Sequence, residues 1–190
     1  LSQAVTVIYG NNINAGTVEN IALFNASGEL IATAPPAKLE VPPADVRRAA
    51  WFTNALGQTE NLHVSTPAIQ RLFADAEHRY RWVVSLSSAV EITSGKETSV
   101  GVLLIDMKYS AISEILESVK LANDGYVYLI DGSGEILYHP QQQLIASGRL
   151  AEDGGAVAKY ADGAYSQSSE KNGARTVIVR SVGYTDWKII

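Results

Sequence analysis

The sequence predicts an α/β (α+β) chain in which one small module occurs twice, each copy an antiparallel sheet with flanking helices, the two joined by a helix. Three observations predict it. The segments LFNASGELIAT, from Leu23, and LIDGSGEILYH, from Leu129, align without a gap and share Leu, Ser-Gly-Glu and a following apolar residue, with Asn25 facing Asp131. Each reads as strand, tight turn, strand, with Gly28 or Gly134 supplying the positive φ of a short loop. Residues 80–92 alternate in polarity and residues 100–105 are almost wholly apolar, as expected of neighbouring strands in a covered sheet. After Asp106 the period changes to about 3.6, the mark of a helix between the copies.

In chain order, the first strand pair is followed by a loop holding Pro35, Pro36, Pro42 and Pro43, then by a helix over residues 44–56. Pro43 suits its first turn and Gly57 its C′ position. Residues 61–65 read as a short strand and 67–78 as a polar, partly helical excursion. In the strand over residues 80–92, Tyr80, Trp82, Val84, Leu86, Val90 and Ile92 share one face, with Arg81, Ser85, Ser87 and Glu91 on the other. A turn at residues 94–97 leads into the apolar strand. The joining helix carries a stripe of Ile112, Ile115, Leu116 and Val119 and ends near Asn123-Asp124-Gly125. Strands are then expected over residues 126–130, 135–139, 164–169, 176–182 and 187–190. Residues 141–159 hold a short helix and a Gly-rich loop, and Lys171-Asn172-Gly173 is a hairpin turn. Helix, about five antiparallel strands and long loops, taken twice, describe a PAS-like sandwich.

Composition narrows the chemistry. A chain of 190 residues, 46% hydrophobic and 18% charged, builds its own core and is neither disordered nor collagenous. Its net charge of -5 argues against nucleic acid as a partner. No apolar run is long enough for a membrane span. The absence of cysteine excludes thiol catalysis, disulfides and Cys-based metal sites. The chain starts Leu1-Ser2-Gln3, without Met or a signal peptide, and ends in the apolar run Trp187-Lys188-Ile189-Ile190, so it reads as an excised piece of a longer protein.

No enzyme and no cofactor are expected. His63, His78 and His139 stand apart, without metal-ligand spacing, and read as surface or turn histidines. Gly132-Ser133-Gly134 joins two strands and offers phosphate no helix N-terminus. Asp106 and Asp131 could be imagined as a hydrolytic pair, but Asp131 sits in a turn that favours Asp and Asp106 at a strand end, where it suits an N-cap. The helix over 44–56 is more informative. Val46, Ala49, Ala50, Thr53 and Leu56 form one stripe, and Arg48, Trp51, Phe52 and Ala55 a second. Two rings beside a guanidinium make a lid for a small polar ligand. The same residues also suit a plainer arrangement, with Trp51 and Phe52 sealing the sheet edge and Arg48 in water.

Two PAS-like repeats, the RxxWF helix, the strand-end GVLLIDM, the segment DGYVYLIDGSGEILYHP and the closing GYTDWKII together resemble the double Cache domain, the extracytoplasmic sensor of bacterial transmembrane receptors. The resemblance spans nearly the whole chain, and its flavour is that of Gram-positive sensor histidine kinases. It implies the end of an N-terminal helix at residues 1–17, a membrane-distal module at 18–107, a connecting helix at 108–123 and a membrane-proximal module at 124–190. It further implies a ligand pocket in the distal module formed by Arg48, Trp51, Phe52, His63, Ser65 and Asp106. The arginine stands three residues before the tryptophan and not two, and Phe52 replaces a tyrosine, both departures from the amino-acid-binding subgroup. The expected ligand is therefore a sugar or other small metabolite, sensed directly or through an extracellular solute-binding protein. The parent is expected to be a homodimeric histidine kinase anchored in the cell membrane by flanking helices. The alternatives are a chemoreceptor domain for an amino acid or carboxylate and a cytoplasmic PAS-like cofactor sensor.

Overall fold

A computed structural model describes residues 2–10, 16–74, 80–122, 125–169 and 173–190. His78, Asn123-Asp124 and the tip of the hairpin at Lys171-Asn172 lie outside the described residues. The chain divides into two compact units, Leu1–Ile112 and Ser113–Ile190.

The first unit holds α1 (Ser2–Gly10), β1 (Val18–Asn25), β2 (Leu30–Ala34), α2 (Pro43–Val46), α3 (Ala50–Gly57), β3 (His63–Val64), β4 (Ala68–Ile69), β5 (Trp82–Ser94) and β6 (Glu97–Lys108). α4 (Tyr109–Ser118) crosses the division. Its sheet runs β2-β1-β6-β5-β3, with β4 also pairing β5. One face packs Ala22, Phe24, Val102 and Leu104 against Val46, Phe52 and Ala55 of α2 and α3. The other packs Ile21, Leu23, Ala32, Ala34 and Ile92 against Val5 of α1. Both faces of this sheet are therefore covered.

The second unit holds β7 (Leu129–Ile130), β8 (Ile136–Tyr138), α5 (Gln142–Ala146), α6 (Gly154–Val157), β9 (Gly163–Ser169), β10 (Gly173–Ser181) and β11 (Lys188–Ile189). Its sheet runs β8-β7-β11-β10-β9. With β4 set aside, that is the same path through the strands as in the first unit. Its inner face is Tyr128, Ile130, Val177 and Val179, closed by Val157 of α6. Among the described residues no helix is long and apolar enough to cross a membrane.

The two turns that reveal the duplication have matching hydrogen bonds. Asn25 Oδ1 accepts from the N–H groups of Ser27 and Glu29, and Asp131 Oδ1 from those of Ser133 and Glu135. Gly28 and Gly134 have φ of 78° and 89°, and each lies against the start of a short helix. A Cβ on Gly28 would stand 2.6 Å from the Pro43 carbonyl oxygen, and one on Gly134 2.5 Å from the Gly154–Gly155 peptide. Alanine at either position meets a backbone clash in addition to the left-handed conformation, which alone costs about 1–2 kcal/mol. Gly28→Ala and Gly134→Ala are each expected to destabilise by ~2 kcal/mol or more, read by denaturant melts.

Several expectations need correction. The helix over 44–56 is two helices, because Ala49 is extended (ψ 136°) and re-aims the chain so that Val46 and then Phe52 and Ala55 all reach the sheet. Thr53 is exposed, its hydroxyl bonded to the carbonyls of Ala49 and Ala50. The described part of 67–78 is not helical: β4 joins the sheet, and Phe73 bridges Leu39 and enters the core. Ser87, placed on the polar face of its strand, is 1% exposed, since helices cover that face too. The joining helix ends at Ser118, and Ile115, expected in its buried stripe, is 65% exposed. Asp106 lies inside β6 and caps nothing. His139 is buried instead of lying in a surface turn.

Candidate functional site

Strand register lays a polar row across the face of the first sheet that α3 covers. Asn20 of β1 pairs with Asp106 of β6, and Asp106 with Ser85 of β5. Ser65, just past β3, donates its N–H to the Ser85 carbonyl at 2.9 Å and accepts the Ser85 N–H on its hydroxyl at 2.9 Å. Asn20 reaches this face because the ladder is irregular between Val18 and Asn20: Val18 faces Met107 and Asn20 faces Asp106, so Glu19 bulges out. Arg81 pairs with Glu19 there. The next row along the strands is Ala22, Leu104, Ser87 and His63. Ser87 donates its hydroxyl to the Trp51 carbonyl at 2.9 Å and fastens α3 to the sheet.

Asp106 is the centre of this arrangement. It is 1% exposed, accepts the Ser85 hydroxyl on Oδ1 at 2.6 Å and the Asn20 amide on Oδ2 at 3.0 Å. Burial pushes its pKa above the usual carboxylate value, the two hydrogen bonds oppose that less strongly, and the charge of Glu19 adds to the rise. Among the described residues, its hydrogen bonds come from the neutral donors Ser85 and Asn20. Asn20 Oδ1 and His63 Nε2 are buried without a hydrogen-bond partner among the described residues. The Trp51 ring lies 5.3 Å from Phe24 and 5.5 Å edge-on from Phe52.

Of the residues named from the sequence, His63, Ser65 and Asp106 come to this one region, and Trp51 reaches it through its carbonyl. Arg48 and Phe52 do not join them. The Arg48 side chain is 82% exposed and held 3.7 Å from Asp45. Phe52 is 2% exposed and belongs to the core. Phe52→Ala is accordingly expected to cost about 3–5 kcal/mol of stability. Arg48→Ala should shift it by no more than ~0.5 kcal/mol, both read by denaturant melts. Asn20, Ser85 and Ser87 were missed. A run of three serines interleaved with apolar residues (Ser85, Ser87, Ser88) was the available signal.

The family model for the Cache domain, in its double form, matches residues 2–190. The methyl-accepting chemotaxis protein McpC of Bacillus subtilis (strain 168) is 28% identical over 112 residues, 56% of this chain. The match spans only 15% of the length of that relative. Among solved structures, the ligand-binding domain of the Pseudomonas aeruginosa PAO1 amino acid chemoreceptor PctC, in complex with GABA, is similar with a TM-score of 0.62 at 22% identity, over 94% of this chain and 75% of that one. The ligand-binding domain of the Pseudomonas fluorescens chemoreceptor CtaA, in complex with L-serine, gives 0.62 at 18% identity, over 100% and 78%.

Proposed function

Since the chain belongs to the double Cache family of ligand-binding, non-catalytic sensor domains, we propose that it is the extracytoplasmic ligand-binding domain of a chemoreceptor-type membrane receptor and that its ligand carries an amine, an amino acid foremost. One observation carries this reading: a buried carboxylate, Asp106, supported among the described residues by neutral donors. An ionised carboxylate out of water is costly until a cation joins it, and an ammonium group on the ligand is that cation. Asn20 Oδ1 offers the same ammonium a second acceptor, and His63 Nε2 a polar contact for the ligand's other end.

The histidine-kinase output and sugar ligand expected from the sequence are less well supported. McpC, PctC and CtaA are chemoreceptors, and the two structures hold GABA and L-serine, both amine-bearing. A sugar brings no cation to favour the ionised form of Asp106. Titration calorimetry with L-amino acids, simple amines and sugars tests the reading. Heat is expected from amine-bearing compounds only. Heat from sugars alone, or only after a loaded solute-binding protein is added, would overturn it.

A further inference from the structure

The second unit contains a polar cluster that the function proposed above does not use. Glu152 comes from the loop between α5 and α6, and its side chain is fully buried. Arg175 of β10 grips it with both ends of its fork, Nη1 to Oε1 at 3.0 Å and Nη2 to Oε2 at 2.5 Å. The Tyr126 hydroxyl donates to Oε1 at 2.5 Å and accepts from Arg175 at 3.1 Å. Gln167 holds the guanidinium from the opposite side at 2.9 Å. A planar fork and a phenol converging on one carboxylate form a receptor for that group.

The receptor holds more donors than its occupant uses. His139 accepts the Gln141 N–H on Nδ1 at 3.0 Å, which leaves the ring proton on Nε2. That Nε2 stands 3.8 Å from Glu152 Oε1, beyond hydrogen-bond reach, and has no partner among the described residues. The Tyr128 hydroxyl is also buried and, among the described residues, unpartnered. A carboxylate tethered to the backbone at residue 152 stops short of these donors, whereas a free one is not so constrained. Arg175 remains 23% exposed and gives the cluster an edge on solvent.

We propose that the second unit holds a binding site for a short monocarboxylate, occupied in this state by the chain's own Glu152 and formed by Arg175, Tyr126, His139 and Tyr128. The test is chemical rescue of Glu152→Ala, followed by melting temperature in sodium acetate against sodium chloride at equal ionic strength. The variant is expected to melt lower than the wild type in chloride and to recover with acetate in a saturable way, by at least twice the shift that acetate gives the wild type. The double variant E152A/R175A should show no acetate-specific recovery. An acetate shift no larger than that of the wild type, or one that persists in the double variant, overturns the proposal. If E152A does not fold in chloride, refolding yield reads the same question: recovery in acetate alone supports the site, and failure in both salts overturns it. Because Asp106 is untouched, heat from amine-bearing ligands reports the first unit separately.

Discussion

Asp106→Asn is expected to weaken amine binding by at least about 30-fold while leaving the ligand-free protein as stable as before or more so. The loss follows from removing one partner of a buried, hydrogen-bonded charge pair, about 2 kcal/mol at the low end. The retained stability follows from the sign of the linkage. Burial raises the Asp106 pKa above its unfolded value, so the folded state binds this proton more tightly than the unfolded state does. Stability contributed by this group is present at low pH and is lost as pH rises through the folded value. Asparagine removes that loss. It also fits the existing bonds: its oxygen accepts from Ser85, and Asn20, whose Oδ1 has no partner among the described residues, can turn to accept its amide. Calorimetry with an amino acid and a melt without one read both halves. For the wild type, amine affinity should rise with pH as Asp106 ionises and then level off. A variant that binds as before would leave Asp106 with no part in recognition.

Arg175→Ala is expected to cost about 3–5 kcal/mol and to loosen the second unit first, because it strands a fully buried carboxylate. Burial alone would raise the Glu152 pKa, but the hydrogen bonds from Arg175 and Tyr126 outweigh it and hold the carboxyl below its usual value. A depressed carboxylate contributes stability above its unfolded pKa that is lost as pH falls through the folded value. The wild type should therefore lose stability in acid through this pair, and the variant should show less of that loss. The same environment pushes the Tyr126 phenol up to about 12, with burial the main cause and the Glu152 charge adding to it. Removing both charges in E152A/R175A should cost less than Arg175→Ala alone. Hydrogen exchange resolved by segment would locate the effect; a uniform response across both units would contradict it.

The duplication was legible because a turn writes itself into few residues. Asn or Asp, then Ser, Gly and Glu, state both the hydrogen bonds and the positive φ, and they do so in each copy. The strands were legible by alternation and the apolar run. Which face of β5 meets solvent was not, since the alternation rule assumes one wet face and this sheet has none. Ser85 and Ser87 therefore looked like surface residues when they line the interior. Phe52 and Arg48 changed roles for a related reason: one extended residue, Ala49, reset the helix phase. Asn20 was hidden by the irregular ladder before it. Glu152 was hidden by distance, since nothing periodic links its loop to Tyr126, His139 or Arg175.

Glu19 marks the place where the length of this chain can change at least cost. Val18 points to one side of the sheet and Asn20 to the other, as true sequence neighbours would, so Glu19 is the spare residue between them. Excising it would tidy the ladder and draw the upstream chain along by one position, about 3.4 Å, at the cost of the bond to Arg81. Excising Ala22 instead would turn every residue on one side of the cut inside out. Insertions and deletions tolerated by this strand are thus expected to gather at a single address, where the sheet already carries slack.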